Sequence, residues 1–193
     1  MERFRTNGFS GWIRGSVALA AAALLPVAAG GLTRSAEAAD TPPTMATLLD
    51  RALIEDLLVD YYGGFSGDQR GMSSFYVEDG ILDVNGIVAQ GKQAIDALYA
   101  QNTGAGTAAR KGLFRMLLTN VRISVHGATA TADAIWTGIN DETVKATPRF
   151  VEQGREHDEL VKRGGHWYLK HRWITADAGL PAMYDKTYKP RNP

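Results

Sequence analysis

The sequence predicts an α+β fold, because a helical first half is followed by a second half of long strands. Apolar residues recur every four positions between Thr47 and Ser66, which predicts an amphipathic helix. Asn85-Gly86 lies between two short apolar segments, a pattern typical of a two-residue hairpin turn. Alternating segments then continue from Leu113 to Thr175 and predict long antiparallel strands.

The start of the chain has the pattern of an export signal. Arg3, Arg5 and Arg14 precede an apolar stretch at residues 16–29, and Ala-Glu-Ala at 36–38 has the spacing of a cleavage site. We expect residues 1–38 to be a signal peptide, which predicts a periplasmic or secreted protein with no stable membrane anchor after cleavage. An uncleaved anchor is the alternative.

Composition limits the function classes. The 193 residues include 21 basic and 21 acidic side chains, so nothing in the charge balance favours nucleic acid as a partner. The chain has no cysteine, which excludes disulfides, thiolate metal sites and a cysteine nucleophile. We divide the remainder into a linker (39–46), one domain (47–177) and a tail (178–193), which we expect to pack across a pocket mouth or a neighbouring subunit.

The predicted elements follow in order along the domain. The first helix ends at Gly63-Gly64 and Ser66, and Gly164-Gly165 marks a second hairpin turn. Before the long strands we predict a short helix at 69–77, two hairpin strands at 81–84 and 87–89, a helix at 91–101 and a mobile loop at 102–109. The long strands are predicted at 113–125, 129–139, 149–162 and 166–175.

This order of elements resembles the SnoaL-like branch of the nuclear transport factor 2-like superfamily. The first helix closes in Tyr61-Tyr62, a short helix closes in Phe75-Tyr76, and Glu78-Asp79-Gly80 leads into the hairpin. The resemblance implies an NTF2-like cone in which a bent, mostly antiparallel sheet and three helices enclose an apolar pocket. Such a pocket binds a small molecule or performs acid–base chemistry on one.

The resemblance also implies a catalytic dyad that this chain lacks. SnoaL-like enzymes that eliminate or dehydrate carry an Asp after the first helix and a His three residues before a Thr-Asn pair. Thr119-Asn120 occupies the place of that pair, but the His position is Met116 and the Asp position is Ser66. Asp68 replaces the missing Asp only if the alignment shifts.

Other residues are therefore candidates for catalysis. The resemblance implies that one tyrosine at the end of the first helix points into the cone, and we assign Tyr61 as a donor to a substrate oxygen. Glu156 or His171 would move the proton, and Arg115 would stabilise a developing negative charge. The alternatives are a solvated face for Glu156, a hydrogen-bonded core position for His171 and a rim charge for Arg115.

Strand alternation supports two of these candidates, because every second residue of a strand faces the same side. Glu156 shares its side with Leu160, and His171 shares its side with Trp167 and Leu169. We further predict that the following five residues contact the substrate: Tyr62, Met116, Asn120, Trp136 and Trp173.

Two hypotheses about function follow. The first is an exported, cofactor-independent lyase, dehydratase or isomerase acting on a small hydrophobic substrate, with aromatic and polycyclic molecules among the candidates. The second is a non-catalytic binding or accessory module on the same fold. Two or more titratable groups in one pocket would favour the enzyme. We expect no metal or cofactor, because no metal-ligand or phosphate-binding motif is present, and we expect a homodimer formed through the convex face of the sheet.

Overall fold

The computed structural model describes residues 43–66, 71–102 and 112–187. The predicted signal peptide, much of the linker, nearly all of the predicted 102–109 loop and the end of the tail lie outside these residues. The elements in chain order are α1 (Met45–Gly63), β1 (Tyr76–Val84), β2 (Ile87–Gln90), α2 (Lys92–Asn102), β3 (Leu113–His126), β4 (Thr129–Asp141), β5 (Arg149–Arg163) and β6 (His166–Ala178), with short 3₁₀ turns at Gly64–Ser66, Met72–Phe75 and Ala182–Tyr184.

The prediction of a bent, mixed and mostly antiparallel sheet is confirmed. The six strands lie in the order β2-β1-β6-β5-β4-β3. Only β1 and β6 run parallel, and the other described pairs are antiparallel. Because β6 lies between β1 and β5, its inward-facing side chains occupy the middle of the sheet.

Helix α1 begins slightly earlier than the sequence predicts. Thr44 caps it, since its hydroxyl accepts from the Thr47 amide and the Thr47 hydroxyl accepts from the Thr44 amide. The buried side of α1 consists of Ile54, Leu58, Tyr61 and Tyr62. The last two residues therefore bring two hydroxyl groups into the domain interior.

Both predicted hairpin turns are present. Asn85 and Gly86 have positive φ values of 50° and 87°, and Gly164 and Gly165 have values of 58° and 85°. A two-residue turn of this type matches the right-handed twist of the strands that it joins, and glycine and asparagine tolerate its backbone. The turns thus fix the register of β1 with β2 and of β5 with β6.

The short helix predicted at 69–77 is the main difference from the predicted fold. Within the described residues this region contains a single 3₁₀ turn, Met72–Phe75, and the chain is already extended at Tyr76. Tyr76 pairs with Leu169 of β6. Sheet pairing and burial of the Tyr76 ring therefore override the local helical preference.

An irregularity in β6 decides which side chains reach the interior. Leu160 pairs with Leu169, but the next pair along is Glu159 with His171, so Lys170 is an extra residue. Such a β-bulge reverses the alternation beyond it. Trp167 and Leu169 are buried before the bulge, and Arg172 is buried after it.

The core lies between the inner face of the sheet and the two helices. Its members include Ile54, Leu58, Ile95, Leu160 and Leu169. In the part of the chain that the structure describes, none of the helices has the length and apolar character needed to cross a membrane.

Candidate active site

A largely apolar cavity opens between the end of α1, α2 and the inner face of the sheet. Its empty volume is about 410 Å³, part of which is open to solvent. The residues that line it are Tyr61, Tyr62, Phe65, Val84, Tyr99, Met116, Trp136, Glu152, Ile174 and Leu180. The aromatic rings give the cavity flat walls, and among these ten described residues Glu152 is the one with an acidic side chain.

Leu180 shows that the C-terminal tail takes part in the cavity. It follows β6 and lies in the cavity wall, while Tyr184 is buried nearby in the domain. The described part of the tail therefore packs against the cavity of its own domain. Packing across the pocket mouth was one of the two predicted positions of the tail, and a neighbouring subunit was the other.

Glu152 reaches the cavity because two glycines leave room for it. It is only 7% exposed, and it pairs across the sheet with Gly138. A Cβ atom at Gly138 would lie 2.4 Å from the Glu152 Cγ, and one at Gly179 would lie 2.5 Å from the Glu152 Cβ. The two glycines thus leave room for the first carbons of the Glu152 side chain, whose residue lines the cavity.

Trp136 of β4 forms another part of the cavity wall, and it pairs with Gly154 of β5. Its ring occupies the space above Gly154, where an added Cβ would lie 2.2 Å from the Trp136 Cζ2. The Trp136 indole N–H is buried and has no hydrogen-bond acceptor among the described residues. A donor in this position is available to an oxygen atom of a bound molecule.

A cluster of charged side chains lies deeper, behind Tyr62. Glu156 and Asp158 from β5 and Arg172 from β6 have side chains with no exposed surface. Arg172 Nη2 donates to Glu156 Oε2 at 2.6 Å, and Arg172 Nε lies 3.2 Å from Asp158 Oδ1. The Tyr62 hydroxyl also donates to Glu156 Oε2, so Tyr62 connects the cavity with this buried ionic cluster.

Tyr61 supports the guanidinium group of the same cluster. Its ring centre lies 3.8 Å from the Arg172 Cζ, which is a cation–π contact, and its hydroxyl is hydrogen-bonded to that of Tyr99. Burial raises the pKa of Tyr61 to about 12 and, together with Glu156, raises that of Tyr62 well above its ordinary value. Both tyrosines are therefore neutral hydrogen-bond donors at physiological pH.

The pKa values of Asp158 and Arg172 reflect their mutual burial. Burial raises the pKa of Asp158 well above its ordinary value, and the neighbouring Glu156 raises it further against the opposing effect of Arg172. Burial alone would lower the pKa of Arg172, but Asp158 and Glu156 raise it above the ordinary value. The guanidinium group is thus charged, whereas Asp158 favours its protonated form.

The structure brings together some of the predicted site residues. Tyr61, Tyr62, Met116 and Trp136 line the cavity, and Glu156 lies directly behind Tyr62. Met116 stands where the resemblance placed a histidine, and its thioether contributes apolar surface instead of a base.

The predicted convergence of Arg115 and His171 on this cavity is wrong. Arg115 is exposed on the opposite side of β3 from Met116 and forms an ion pair with Asp141. His171 faces outward because of the β-bulge at Lys170, and its ring stacks on Trp173 with centroids 3.4 Å apart. Regular alternation in β6, on which the prediction relied, ends at that bulge.

Trp173 and Asn120 also lie away from the cavity. Trp173 follows His171 on the outer face, where its ring approaches that of His157 at 5.6 Å. Asn120 is exposed and has a positive φ of 55° where the register between β3 and β4 shifts. A bulge on the edge strand therefore turns this residue out of the alternating pattern.

Sequence reasoning missed Glu152 and Arg172. Glu152 could have been predicted, because Glu152, Gly154 and Glu156 occupy alternate positions of one strand. Arg172 was not, since no local pattern marks an extra residue between Leu169 and His171. Within the described ranges there is no group of three or more His, Cys, Asp or Glu side chains that could hold a metal ion.

Comparison with known families agrees with the geometry. The sequence matches the model of the SnoaL-like domain over residues 46–173, which is more than half of the chain. The chain belongs to the SnoaL-like family. A cavity enclosed by helices and the inner face of a bent sheet is the arrangement that the resemblance led us to expect. The sequence has no significant match among curated proteins.

Solved structures share the SnoaL-like fold with this chain at low sequence identity. A protein of unknown function from Nostoc punctiforme has a TM-score of 0.60 and 24% identity, covering 70% of this chain and 96% of its own. A protein from Novosphingobium aromaticivorans, provisionally assigned as a scytalone dehydratase, has a TM-score of 0.54 and 20% identity, covering 70% of this chain and 95% of its own. LinA has a TM-score of 0.56 and 19% identity, covering 69% of this chain and 90% of its own. At these identities the likeness shows the fold alone.

Proposed function

We propose that this SnoaL-like protein is an enzyme that moves a proton on a small, mostly apolar molecule, as a dehydratase or isomerase does. The observation that carries the proposal is that Glu152 and Tyr62 line the same largely apolar cavity. A carboxylate is a suitable base, and a neutral phenol is a suitable acid. The provisional assignment of a structural neighbour as a scytalone dehydratase is consistent with this reaction class.

Three cavity residues have a role in this reaction. Glu152 removes a proton from a carbon next to a carbonyl or phenol group, and the Trp136 N–H donates a hydrogen bond to the substrate oxygen. Tyr62 supplies a proton to the oxygen that leaves or is rearranged. We assign the acid to Tyr62 instead of Tyr61, because the Tyr62 hydroxyl contacts a carboxyl group and the Tyr61 hydroxyl contacts another phenol.

The substrate class follows from the walls. The rings of Tyr61, Tyr62, Phe65, Tyr99 and Trp136 offer flat apolar surfaces, so a substrate with one or two fused rings fits the lining. Glu152 disfavours an anionic substrate, and the positive charge of Arg172 is already matched by its buried carboxyl partners. We therefore propose an uncharged cyclic ketone or phenol.

Deuterium exchange tests the reaction with simple ketones in place of the natural substrate. A panel of cyclic and bicyclic ketones, 2-tetralone among them, is incubated with the protein in D₂O, and C–H loss is followed by proton NMR. We expect catalysed exchange for at least one ketone, and Glu152→Gln should slow it by about 10²–10⁴-fold. Glu142→Gln is the matched control, because Glu142 is exposed and pairs with Arg149.

Two outcomes would change the proposal. An exchange rate in Glu152→Gln equal to that of the wild type would remove Glu152 from its role as the base. Binding of panel members with no exchange in the wild type would favour the second candidate, a carrier. The absence of the family dyad at Ser66 and Met116 is the observation that supports the carrier.

Export and assembly are separate parts of the proposal. We propose that the mature protein begins near Ala39 outside the cytoplasm, which N-terminal mass spectrometry of the purified native protein tests directly. We also propose a homodimer through the outer face of the sheet, where Leu117 and Phe150 are 44% and 78% exposed. Light scattering of the wild type and of Phe150→Glu tests this, with a dimer expected only for the wild type.

A further inference from the structure

The buried ionic cluster contains more negative than positive charge if all its groups are ionised. Glu156 and Asp158 contribute two carboxylates, and Arg172 contributes one guanidinium group. All three side chains have no exposed surface, so solvent does not offset the excess charge. A net charge in such a place is strongly unfavourable, and proteins relieve it by changing the protonation of one group.

The hydrogen bonding of the cluster is also incomplete. Among the described residues, Glu156 Oε1 and both oxygens of Asp158 are buried without a well-aligned hydrogen bond, as are Arg172 Nε and Nη1. The carboxyl pair therefore has free acceptor oxygens beside the guanidinium group. Glu156 and Asp158 are alternate residues of β5 and face the same side. A proton on one carboxyl group gives the other an acceptor role and removes the excess charge at the same time.

We propose that Glu156 and Asp158 share one proton, held chiefly on Asp158, and that this proton reaches the cavity through the Tyr62 hydroxyl. Tyr62 is placed for this transfer, because its hydroxyl donates to Glu156 Oε2 while its side chain lines the cavity. The use of the proton in catalysis rests on the proposed function, whereas its presence in the cluster does not.

The surrounding groups favour a neutral, protonated Asp158 beside a charged Arg172 over an ionised Asp158 beside a deprotonated Arg172. Tyr61 and Tyr62 from α1 and Tyr76 from β1 approach as neutral phenols, and Arg172 is the cation that faces the pair. The nearby Asp133 of β4 adds a further negative charge that raises the pKa of Asp158. The guanidinium group cannot release the proton instead, because its own pKa is raised by both carboxyl groups.

The proton movements balance over one turnover. Tyr62 gives its hydroxyl proton to the substrate oxygen, and the shared proton passes from Asp158 by way of Glu156 to the Tyr62 oxygen. Glu152 meanwhile holds the proton taken from the substrate carbon. Both carboxyl groups of the cluster are then ionised beside Arg172. The cycle closes when a proton from solvent in the cavity returns to the pair through Tyr62 and Glu152 releases its own proton to solvent.

Infrared spectroscopy of the whole protein at neutral pH tests the shared proton without any ligand. A protonated carboxyl group has a carbonyl stretching band separate from that of carboxylates, and we expect this band in the wild type. Asp158→Asn should remove it while the protein still folds, because an amide resembles the neutral acid. The matched control Asp79→Asn changes an exposed carboxylate of β1 that has no role in the cluster, and it should retain the band.

Three results would overturn this part of the proposal. The band would be absent from the wild type at neutral pH, it would persist in Asp158→Asn, or it would disappear equally in Asp79→Asn. None of these results depends on catalysis, so they are distinguishable from a failure of the ketone exchange test.

Hydrogen exchange of the same band tests the path through Tyr62. After transfer to D₂O the band shifts as deuterium replaces the shared proton. We expect the shift to be about tenfold or more slower in Tyr62→Phe, because exchange then depends on local opening of the domain. Tyr168→Phe on β6 is the control and should exchange like the wild type. Equal rates in Tyr62→Phe and the wild type would exclude Tyr62 as the path.

Discussion

The inner and outer faces of β5 and β6 carry similar charged groups in opposite surroundings. On the inner face, the ion pairs of Arg172 with Glu156 and Asp158 have no exposed surface. On the outer side, Arg155 of β5 lies 3.4 Å from Asp177 of β6, with 36% and 33% of their side chains exposed. The difference teaches that exclusion of water, more than the identity of the residues, makes one face suitable for controlled proton transfer.

Removal of the buried cation should have the largest effect on stability. Arg172→Met leaves uncompensated negative charge inside the domain, and we expect a loss of about 3–5 kcal/mol in the free energy of unfolding. Arg115→Met is the control, because its ion pair with Asp141 is exposed, and it should change stability by at most about 1 kcal/mol. Urea denaturation measures both, and equal losses would contradict the contrast between the two faces.

Filling the space above Gly154 should have the next largest effect. In Gly154→Ala the new methyl group meets the Trp136 ring and the Thr175 carbonyl oxygen at 2.2 and 2.4 Å. We expect a loss of about 1–3 kcal/mol, the usual cost of overpacking. Gly63→Ala is the control, since nothing lies within 4 Å of its added Cβ. A stable Gly154→Ala protein would show that Trp136 does not need its observed position.

The pH dependence of stability should differ in sign between Asp158 and Asp50. Above the ordinary value near 3.8, the unfolded chain loses the Asp158 proton while the folded chain keeps it. The contribution of Asp158 to the free energy of unfolding is therefore fully present below that pH. It decreases as pH rises toward the raised folded pKa, by at most about 1.4 kcal/mol per pH unit. Asp158→Asn removes this loss, so its stability relative to the wild type should increase with pH.

Asp50 provides the opposite case. Hydrogen bonds from Lys162 and Trp167 lower its pKa, so its contribution to stability is present above about the ordinary value of 3.8 and is lost as pH falls through the lowered folded pKa. Asp50→Asn should therefore become more stable relative to the wild type as pH falls. Urea denaturation across the acidic and neutral range measures both variants, and slopes of the same sign would refute the assignment of Asp158.

The smallest effect is expected on the outer face. His171→Ala removes the stacking contact with Trp173, which is worth about 0.5–1.5 kcal/mol for an aromatic pair. Its rate of ketone exchange should equal that of the wild type, because the ring does not reach the cavity. A large loss of exchange in this variant, with stability retained, would contradict the assignment of the chemistry to the inner face.

The fold was largely predictable from the sequence, because its signals are local. The spacing of Leu58 and Tyr62, the Asn85-Gly86 turn and the alternation around Trp136 each determine an element within a few residues. The helix predicted at 69–77 failed, since pairing of Tyr76 with Leu169 is a contact between distant parts of the chain.

The candidate site was less predictable for the same reason. One extra residue at Lys170 exchanges the environments of His171 and Arg172, and nothing in the neighbouring sequence marks it. Glu156 was found by alternation in a regular strand, and Glu152 was within reach of the same argument. Arg115 was misplaced because a residue beside an inward-facing Met116 must itself face outward.

A crystal structure of the protein with bound 2-tetralone tests the central claim most directly. The account predicts the ketone in the cavity, with its oxygen within hydrogen-bonding distance of the Trp136 N–H or the Tyr62 hydroxyl and its exchangeable carbon facing Glu152. A ketone bound on the outer face against Trp173, or in the cavity with that carbon turned away from Glu152, would contradict it.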